Sequence, residues 1–121
     1  VKFSGVGESR FQDELDAQLN AIGQGALEVG YCARPGELDL RLIGAESLRA
    51  EAAELARKTY PACYVNSDES SLEKTVVNLM AAKGLKLALA ESCTGGRISS
   101  RVTDVSGSSN VFTHGYITYA N

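Results

Sequence analysis

The sequence predicts a mixed α/β protein of two small units, and three observations support this prediction. Apolar residues recur with helical spacing in some stretches and alternate with polar residues in others, which indicates both helices and strands. The predicted elements follow the order β-α-β-β-α-β in residues 1–67 and α-β-α-β in residues 68–121. The polar residues 66–70 separate the two orders. We therefore place a domain boundary between residues 67 and 68.

The first unit begins with a predicted strand at residues 1–6, followed by a helix at residues 8–22. Gly23 is expected to end this helix. One face of the helix collects its apolar side chains, which are Phe11, Leu15, Leu19 and Ile22.

A β-hairpin is predicted next. Apolar and polar residues alternate in residues 27–33 and again in residues 38–42. Between them, Pro35 and Gly36 occupy the central positions of a type II turn. The hairpin would have one apolar face.

A second helix follows, which Ser47 is expected to cap and Pro61 to end. Its predicted inner face consists of Leu48, Ala52, Leu55 and Thr59. The short β-prone segment 62–65 completes the order β-α-β-β-α-β. That order is the split βαβ pattern, an antiparallel or mixed sheet with two helices on one side.

The second unit is predicted to begin with a helix. A capping box of Ser70 and Glu73 is expected at its start, and Gly84 is expected to end it. Its predicted inner face consists of Leu72, Val76, Leu79 and Met80. Residues 85–90 are apolar on both faces except for Lys86, which is typical of a covered, parallel strand.

Another helix and strand follow, and they leave the second unit with two strands. The helix places Ile98, Val102 and Val105 on one face, and residues 113–120 are strand-like. A two-stranded sheet does not complete an α/β domain. We therefore expect the sequence to be a fragment of a longer protein.

Composition argues against some classes of function. The net charge is −3, with 7 basic and 10 acidic residues in residues 1–66 and 5 of each afterwards. Neither half has the basic excess of a nucleic-acid binder. No segment approaches the roughly 20 apolar residues of a membrane span. Cys32, Cys63 and Cys93 lack metal-ligand spacing and are interpreted as reduced thiols of a cytoplasmic protein.

The most informative stretch is residues 91–96 (ESCTGG), which we call the hook. It joins an apolar strand to a helix, and Ser92 or Cys93 occupies a position where nucleophiles often occur. Backbone N–H groups at a helix start are unpaired and can hold an oxyanion, or equally a phosphate. Gly95 and Gly96 would let a ligand approach the backbone closely.

A serine nucleophile also needs a base, and the hook does not contain one. Glu91 is adjacent to Ser92, but neighbours on a strand point to opposite faces. His114 is the single histidine, and Tyr116 and Tyr119 lie on the next strand. Structural roles remain open for all of these residues: a local cap for Glu91, a turn residue at Cys93 and packing for the aromatic side chains.

The residues around the hook resemble the CinA (competence/damage-inducible) family. Residues 90–96 (AESCTGG), 98–109 (ISSRVTDVSGSS) and 115–121 (GYITYAN) are similar to the start of its C-terminal domain, a nicotinamide mononucleotide deamidase. More weakly, residues 3–9 (FSGVGES) and 33–38 (ARPGEL) resemble the small KH-like connecting domain that precedes it. The second unit would then be a truncated amidohydrolase domain.

The resemblance implies hydrolysis of the carboxamide of nicotinamide mononucleotide, a step of pyridine nucleotide salvage, without a metal or cofactor. Ser92 matches the nucleophile and Tyr119 a catalytic tyrosine, and a lysine beyond Asn121 would be the base. For this fragment alone we expect no activity, and for the whole protein a homo-oligomer. The residues expected to bind substrate are Glu91, Cys93, Thr94, Gly95, Gly96, Gly115 and Asn121.

Three other hypotheses about function remain open. The chain could be a non-catalytic binding or assembly module that keeps the fold. The first unit could bind RNA as KH-like domains do, although it is acidic and lacks a basic Gly-x-x-Gly loop. The hook could also hold a phosphate without hydrolysis.

Overall fold

The computed structural model describes residues 1–120, which form six strands and four α-helices in two compact units. The first unit is Val1–Glu69, and the second begins at Ser70. This mixture of helices and strands confirms the predicted α/β class. None of the helices in the described residues has the length and apolar character needed to cross a membrane.

In the first unit, a four-stranded sheet has the order β2-β3-β1-β4. Each neighbouring pair of strands is antiparallel, so β1 and β2 run in the same direction with β3 between them. The elements are β1 (Lys2–Ser4), α1 (Glu8–Ala21), β2 (Glu28–Arg34), β3 (Glu37–Ile43), α2 (Glu46–Thr59) and β4 (Tyr64–Asn66).

One face of this sheet forms the core with α1 and α2. Phe11 of α1 lies against Phe3 of β1 and stacks on Tyr60, with ring centroids 5.0 Å apart in each pair. Lys2 points to the opposite face, where it pairs with Asp39 at 2.6 Å and Glu37 at 3.4 Å. The fully buried side chains of the core are Phe3, Phe11, Leu15, Leu19, Leu38, Leu40, Ala52 and Ala56.

The hairpin of β2 and β3 is present as predicted, with Arg34 paired to Glu37 across the turn. Gly36 has a φ of +77°, a value that glycine adopts without strain in this kind of turn. The first strand is shorter than predicted, since β1 ends at Ser4 and Gly5 has a φ of +81°.

Both predicted helix caps are wrong. Helix α2 begins at Glu46, so Ser47 lies inside its first turn and the cap position belongs to Ala45, which has no side-chain acceptor. At the next helix the cap is Ser71, whose Oγ accepts a hydrogen bond from the Lys74 N–H at 3.2 Å. Ser70 therefore lies one residue too early to be the cap.

The second unit contains a two-stranded parallel sheet, which confirms the predicted parallel strand. Its small core consists of Val77, Val102 and Val111, with Leu87, Leu89 and Phe112 packed against them. The elements of this unit are α3 (Leu72–Ala82), β5 (Leu87–Glu91), α4 (Arg97–Thr103) and β6 (Phe112–Ile117).

Two predictions for the second unit are wrong in detail. Helix α3 buries Val77 and packs the predicted Met80 against the core, whereas the predicted Val76 and Leu79 are exposed. The helix carries apolar residues at adjacent positions, so its periodicity did not decide which face is inner. In β5, Ala88 and Ala90 are exposed, so in the described residues the strand is covered on one face only.

We expect Leu15→Ala to lower the free energy of unfolding of the first unit by about 2–5 kcal/mol, because it leaves a cavity in a closely packed core. Urea denaturation followed by circular dichroism would measure the loss. Ile43→Ala, at a residue that is 41% exposed, is the control and should cost much less. Equal losses for the two variants would contradict this account of the core.

Candidate functional site

The hook begins at Glu91, the last residue of β5, and ends at Gly96, directly before the first turn of α4. Its turn is closed by two backbone hydrogen bonds, from the Gly95 N–H to the Ser92 carbonyl at 2.9 Å and from the Arg97 N–H to the Thr94 carbonyl at 3.1 Å. Ser92 lies directly after β5 and is exposed. The strand therefore presents the serine at its carboxyl end, the edge where parallel sheets commonly bind ligands.

Different features of the local structure explain why glycine occupies the two positions at the end of the hook. Gly95 and Gly96 have φ values of +58° and +90°, which glycine adopts more readily than other residues. A Cβ on Gly96 would also lie 2.8 Å from Cδ1 of Ile117, whereas none would meet an obstacle at Gly95. Gly96 is therefore favoured by its backbone conformation, and a side chain there would also displace the end of the exposed Ile117 side chain.

Glu91 is the most constrained side chain of the site. It is only 3% exposed, and its carboxylate accepts hydrogen bonds from the first turn of α4. Oε2 accepts from the Ile98 N–H at 2.9 Å, and Oε1 accepts from the Ser99 N–H at 2.8 Å and the Ser99 hydroxyl at 2.5 Å. Since the N-cap residue Gly96 has no side chain, Glu91 supplies the cap from the preceding strand.

These contacts determine the ionisation of Glu91. Burial by itself raises the pKa of this carboxyl, but hydrogen bonds from Ser99, Ile98 and Thr94 outweigh burial and lower the pKa to about 2. The carboxylate is therefore ionised at neutral pH and sits where the positive end of the α4 dipole favours a negative charge.

Other donors of the hook have no acceptor among residues 1–120. Within residues 1–120, the N–H groups of Cys93, Thr94 and Gly96 have no backbone or side-chain acceptor. All three residues lie in the turn beside Ser92. Backbone N–H groups without an acceptor, in the turn that follows an exposed serine, are the kind of donor that can stabilise an oxyanion.

Strand β6 joins the site through its backbone and through Gly115. A Cβ on Gly115 would lie 2.7 Å from the Ser99 hydroxyl oxygen, so glycine allows α4 to approach the strand. Beyond the strand, Thr118 donates its N–H to the Glu91 carbonyl at 2.7 Å. Thr118 and Ser99 were not singled out from the sequence. The available signal was the glycine at position 96, because a helix that starts after a glycine needs an acceptor from elsewhere in the chain for its first N–H groups.

The remaining predicted site residues are less closely tied to the hook. Tyr119 is 73% exposed and follows Thr118, which brings its backbone near the end of β5. His114 lies on β6 opposite Ala88, three residues before Glu91, and stacks on Tyr116 at 6.0 Å. Asn121 lies outside the described residues. The substrate-binding and catalytic roles of all these residues stay predictions.

No metal centre emerges from the described chain, because residues 1–120 contain no cluster of three or more histidine, cysteine or acidic side chains suited to a metal ion. Cys93 of the hook is an exposed free thiol, as is Cys32, and Cys63 is partly buried.

Comparison with known proteins identifies the family. The family model described as the CinA C-terminal domain matches residues 69–121, which include the whole hook. A CinA-like protein of Akkermansia muciniphila is 45% identical over 97% of this chain, and one of Chlorobium luteolum is 38% identical over all of it. The chain belongs to the CinA family. It spans 28% and 30% of the lengths of these two relatives.

A solved structure is also similar to this chain. The competence/damage inducible protein CihA from Agrobacterium tumefaciens is 36% identical over the aligned part and has a TM-score of 0.42. The alignment covers 48% of this CinA-family chain and 35% of the CihA chain.

We expect Gly115→Ala to destabilise the second unit by about 1–3 kcal/mol, because the new methyl group collides with a hydroxyl that Glu91 holds in place. Thermal unfolding would measure the loss. Gly30→Ala is the matched control, since this strand glycine has only the Arg41 Cβ nearby, at 3.8 Å, and should change stability little. A neutral Gly115→Ala would show that α4 and β6 are not so closely packed.

The low pKa of Glu91 predicts an acid-dependent loss of stability. Above the ordinary value of 4.5 the carboxyl is ionised in both the folded and unfolded states, so its full contribution is present. As the pH falls from there towards about 2, the unfolded state takes up the proton first and the contribution disappears. Glu91→Gln should therefore reduce the dependence of the unfolding temperature on pH in this window.

Asp104→Asn is the control for that titration, because it removes an exposed carboxylate at the opposite end of α4. This variant should keep the wild-type pH dependence. A wild-type dependence in Glu91→Gln would contradict the assignment of the low pKa to Glu91.

Proposed function

We propose that the whole protein hydrolyses the carboxamide of nicotinamide mononucleotide to nicotinic acid mononucleotide and ammonia. The observation that carries this proposal is the hook: an exposed Ser92 at the end of β5, beside three N–H groups that the described chain leaves without an acceptor. The match of the CinA C-terminal domain to residues 69–121 supports it, because the match includes these residues.

The proposed mechanism is covalent. The Ser92 oxygen attacks the amide carbon and its proton goes to a general base, while the hook N–H groups stabilise the oxyanion. The tetrahedral intermediate collapses, and the base returns the proton to the departing nitrogen, which leaves as ammonia. Water then attacks the acyl-serine, releasing the carboxylate product and restoring the serine hydroxyl.

The general base is assigned to a lysine outside these residues, following the family resemblance. Within residues 1–120, Glu91 does not suit this role, since both of its oxygens already accept hydrogen bonds from α4. His114 does not suit it either, because its position on β6 is opposite Ala88, away from the end of the strand. Tyr119 is proposed as a further catalytic group, and its exposed ring is free to contact substrate.

A non-catalytic binding or assembly module is the alternative that this proposal has to exclude. Ammonia release by the whole protein distinguishes the two. The proposal requires release from nicotinamide mononucleotide, whereas the alternative requires none from a well-folded protein.

We expect Ser92→Ala to lower ammonia release by the whole protein by ~10³-fold or more, because it removes the attacking oxygen. A coupled ammonia assay would measure the rate. Ser100→Ala, an exposed serine on α4, is the matched control and should keep wild-type activity. Equal rates in Ser92→Ala and the wild type would remove Ser92 from the centre of the reaction.

A further inference from the structure

We infer that Glu91 is a positioning residue, whose buried carboxylate holds the hook in the conformation that places Ser92 beside the unused turn N–H groups. This inference rests on the proposed function for its catalytic consequence. It differs from the substrate contact that the family resemblance suggested for Glu91.

The first step is that the Glu91 side chain is saturated by the protein. Hydrogen bonds from Ile98 and Ser99 reach both of its oxygens, and the Thr94 side chain makes a further hydrogen bond to the carboxylate. Because the residue is only 3% exposed, a substrate would have to displace these bonds to reach the carboxylate.

The second step is that these bonds span the hook. Glu91 is its first residue, and the donors lie just after its last residue, Gly96. The carboxylate thus fixes the separation between the end of β5 and the start of α4. The five hook residues that follow Glu91, including Ser92, are confined between these two fixed points.

The third step is that the hook has little else to hold it. Residues 92–95 are exposed, and Gly95 and Gly96 add backbone freedom. Two internal turn bonds and the Thr94 side-chain hydrogen bond to Glu91 are further restraints, and the last of these also depends on the Glu91 carboxylate. Displacing a reacting group by about 1 Å can cost ~10²-fold in rate, so the Glu91 contact matters to a serine on such a segment.

The Glu91 backbone adds a second connection. Its carbonyl accepts hydrogen bonds from Thr118, through the N–H at 2.7 Å and the hydroxyl at 3.3 Å. Thr118 precedes Tyr119, the proposed catalytic tyrosine. One residue therefore positions the serine through its side chain and the tyrosine segment through its backbone.

The test compares four forms of the whole protein: wild type, Glu91→Gln, Ser99→Ala and Asp104→Asn. Steady-state ammonia release gives kcat and KM, and amide hydrogen exchange by mass spectrometry reports the mobility of residues 92–99. Gln places an NH₂ donor against a backbone N–H or a hydroxyl, so Glu91→Gln loses at least one contact. Ser99→Ala removes one hydroxyl bond and keeps both backbone bonds.

We expect Glu91→Gln to lower kcat by ~10²-fold with little change in KM, and to speed hydrogen exchange in residues 92–99. Ser99→Ala should give a smaller loss, ~10-fold or less, and Asp104→Asn should match the wild type. A merely structural role would lower the unfolding temperature of Glu91→Gln but leave kcat per folded molecule unchanged, and that result would overturn the inference.

Two other outcomes are also decisive. If Glu91→Gln does not fold, Ser99→Ala decides: wild-type kcat together with wild-type exchange would overturn the inference, and a lower kcat with faster exchange would support it. If the wild type releases no ammonia, the proposed function fails. Hydrogen exchange in Glu91→Gln then tests separately whether the Glu91 carboxylate restrains the hook. Faster exchange in residues 92–99 supports this restraint, and unchanged exchange overturns it.

Discussion

The capping of α4 by the Glu91 carboxylate is the interaction on which the geometry of the site depends. Helix α4 has seven residues and a glycine at its N-cap, so it has little intrinsic stability and no cap of its own. The carboxylate supplies the missing acceptors from the end of β5. The Glu91 carbonyl also binds Thr118, so the strand, the helix and the segment after β6 all meet at one residue.

Much of the first unit could be predicted because its local patterns agree with its packing. The hairpin and the inner face of α1, with Phe11, Leu15 and Leu19 buried, follow directly from periodicity. The helix caps did not follow from the sequence pattern. Ser47 and Ser70 lie close to helix starts, but neither occupies the cap position. Which residue becomes the cap depends on where the chain enters the helix, and tertiary packing decides that within one or two residues.

In the second unit, the location of the hook was predictable and its internal support was not. The sequence placed Ser92 between a strand and a helix and put Glu91 on the opposite face of that strand. It did not show that the opposite face is where Ser99 lies, because that contact depends on how closely α4 approaches the sheet. Gly115 lies on the neighbouring strand β6 and permits this approach. It lies there because β6 pairs in parallel with β5.

The occupied cap also bears on the choice between amide hydrolysis and simple phosphate binding. An uncapped helix start attracts a permanent anion through its dipole and its first N–H groups. Here the Ile98 and Ser99 N–H groups are already bound to an ionised carboxylate, which offsets the dipole and would repel a phosphate held nearby. What remains is a set of neutral donors at Cys93, Thr94 and Gly96. Such donors suit an amide carbonyl that becomes negative only during the reaction, and this favours hydrolysis over retention of a phosphate.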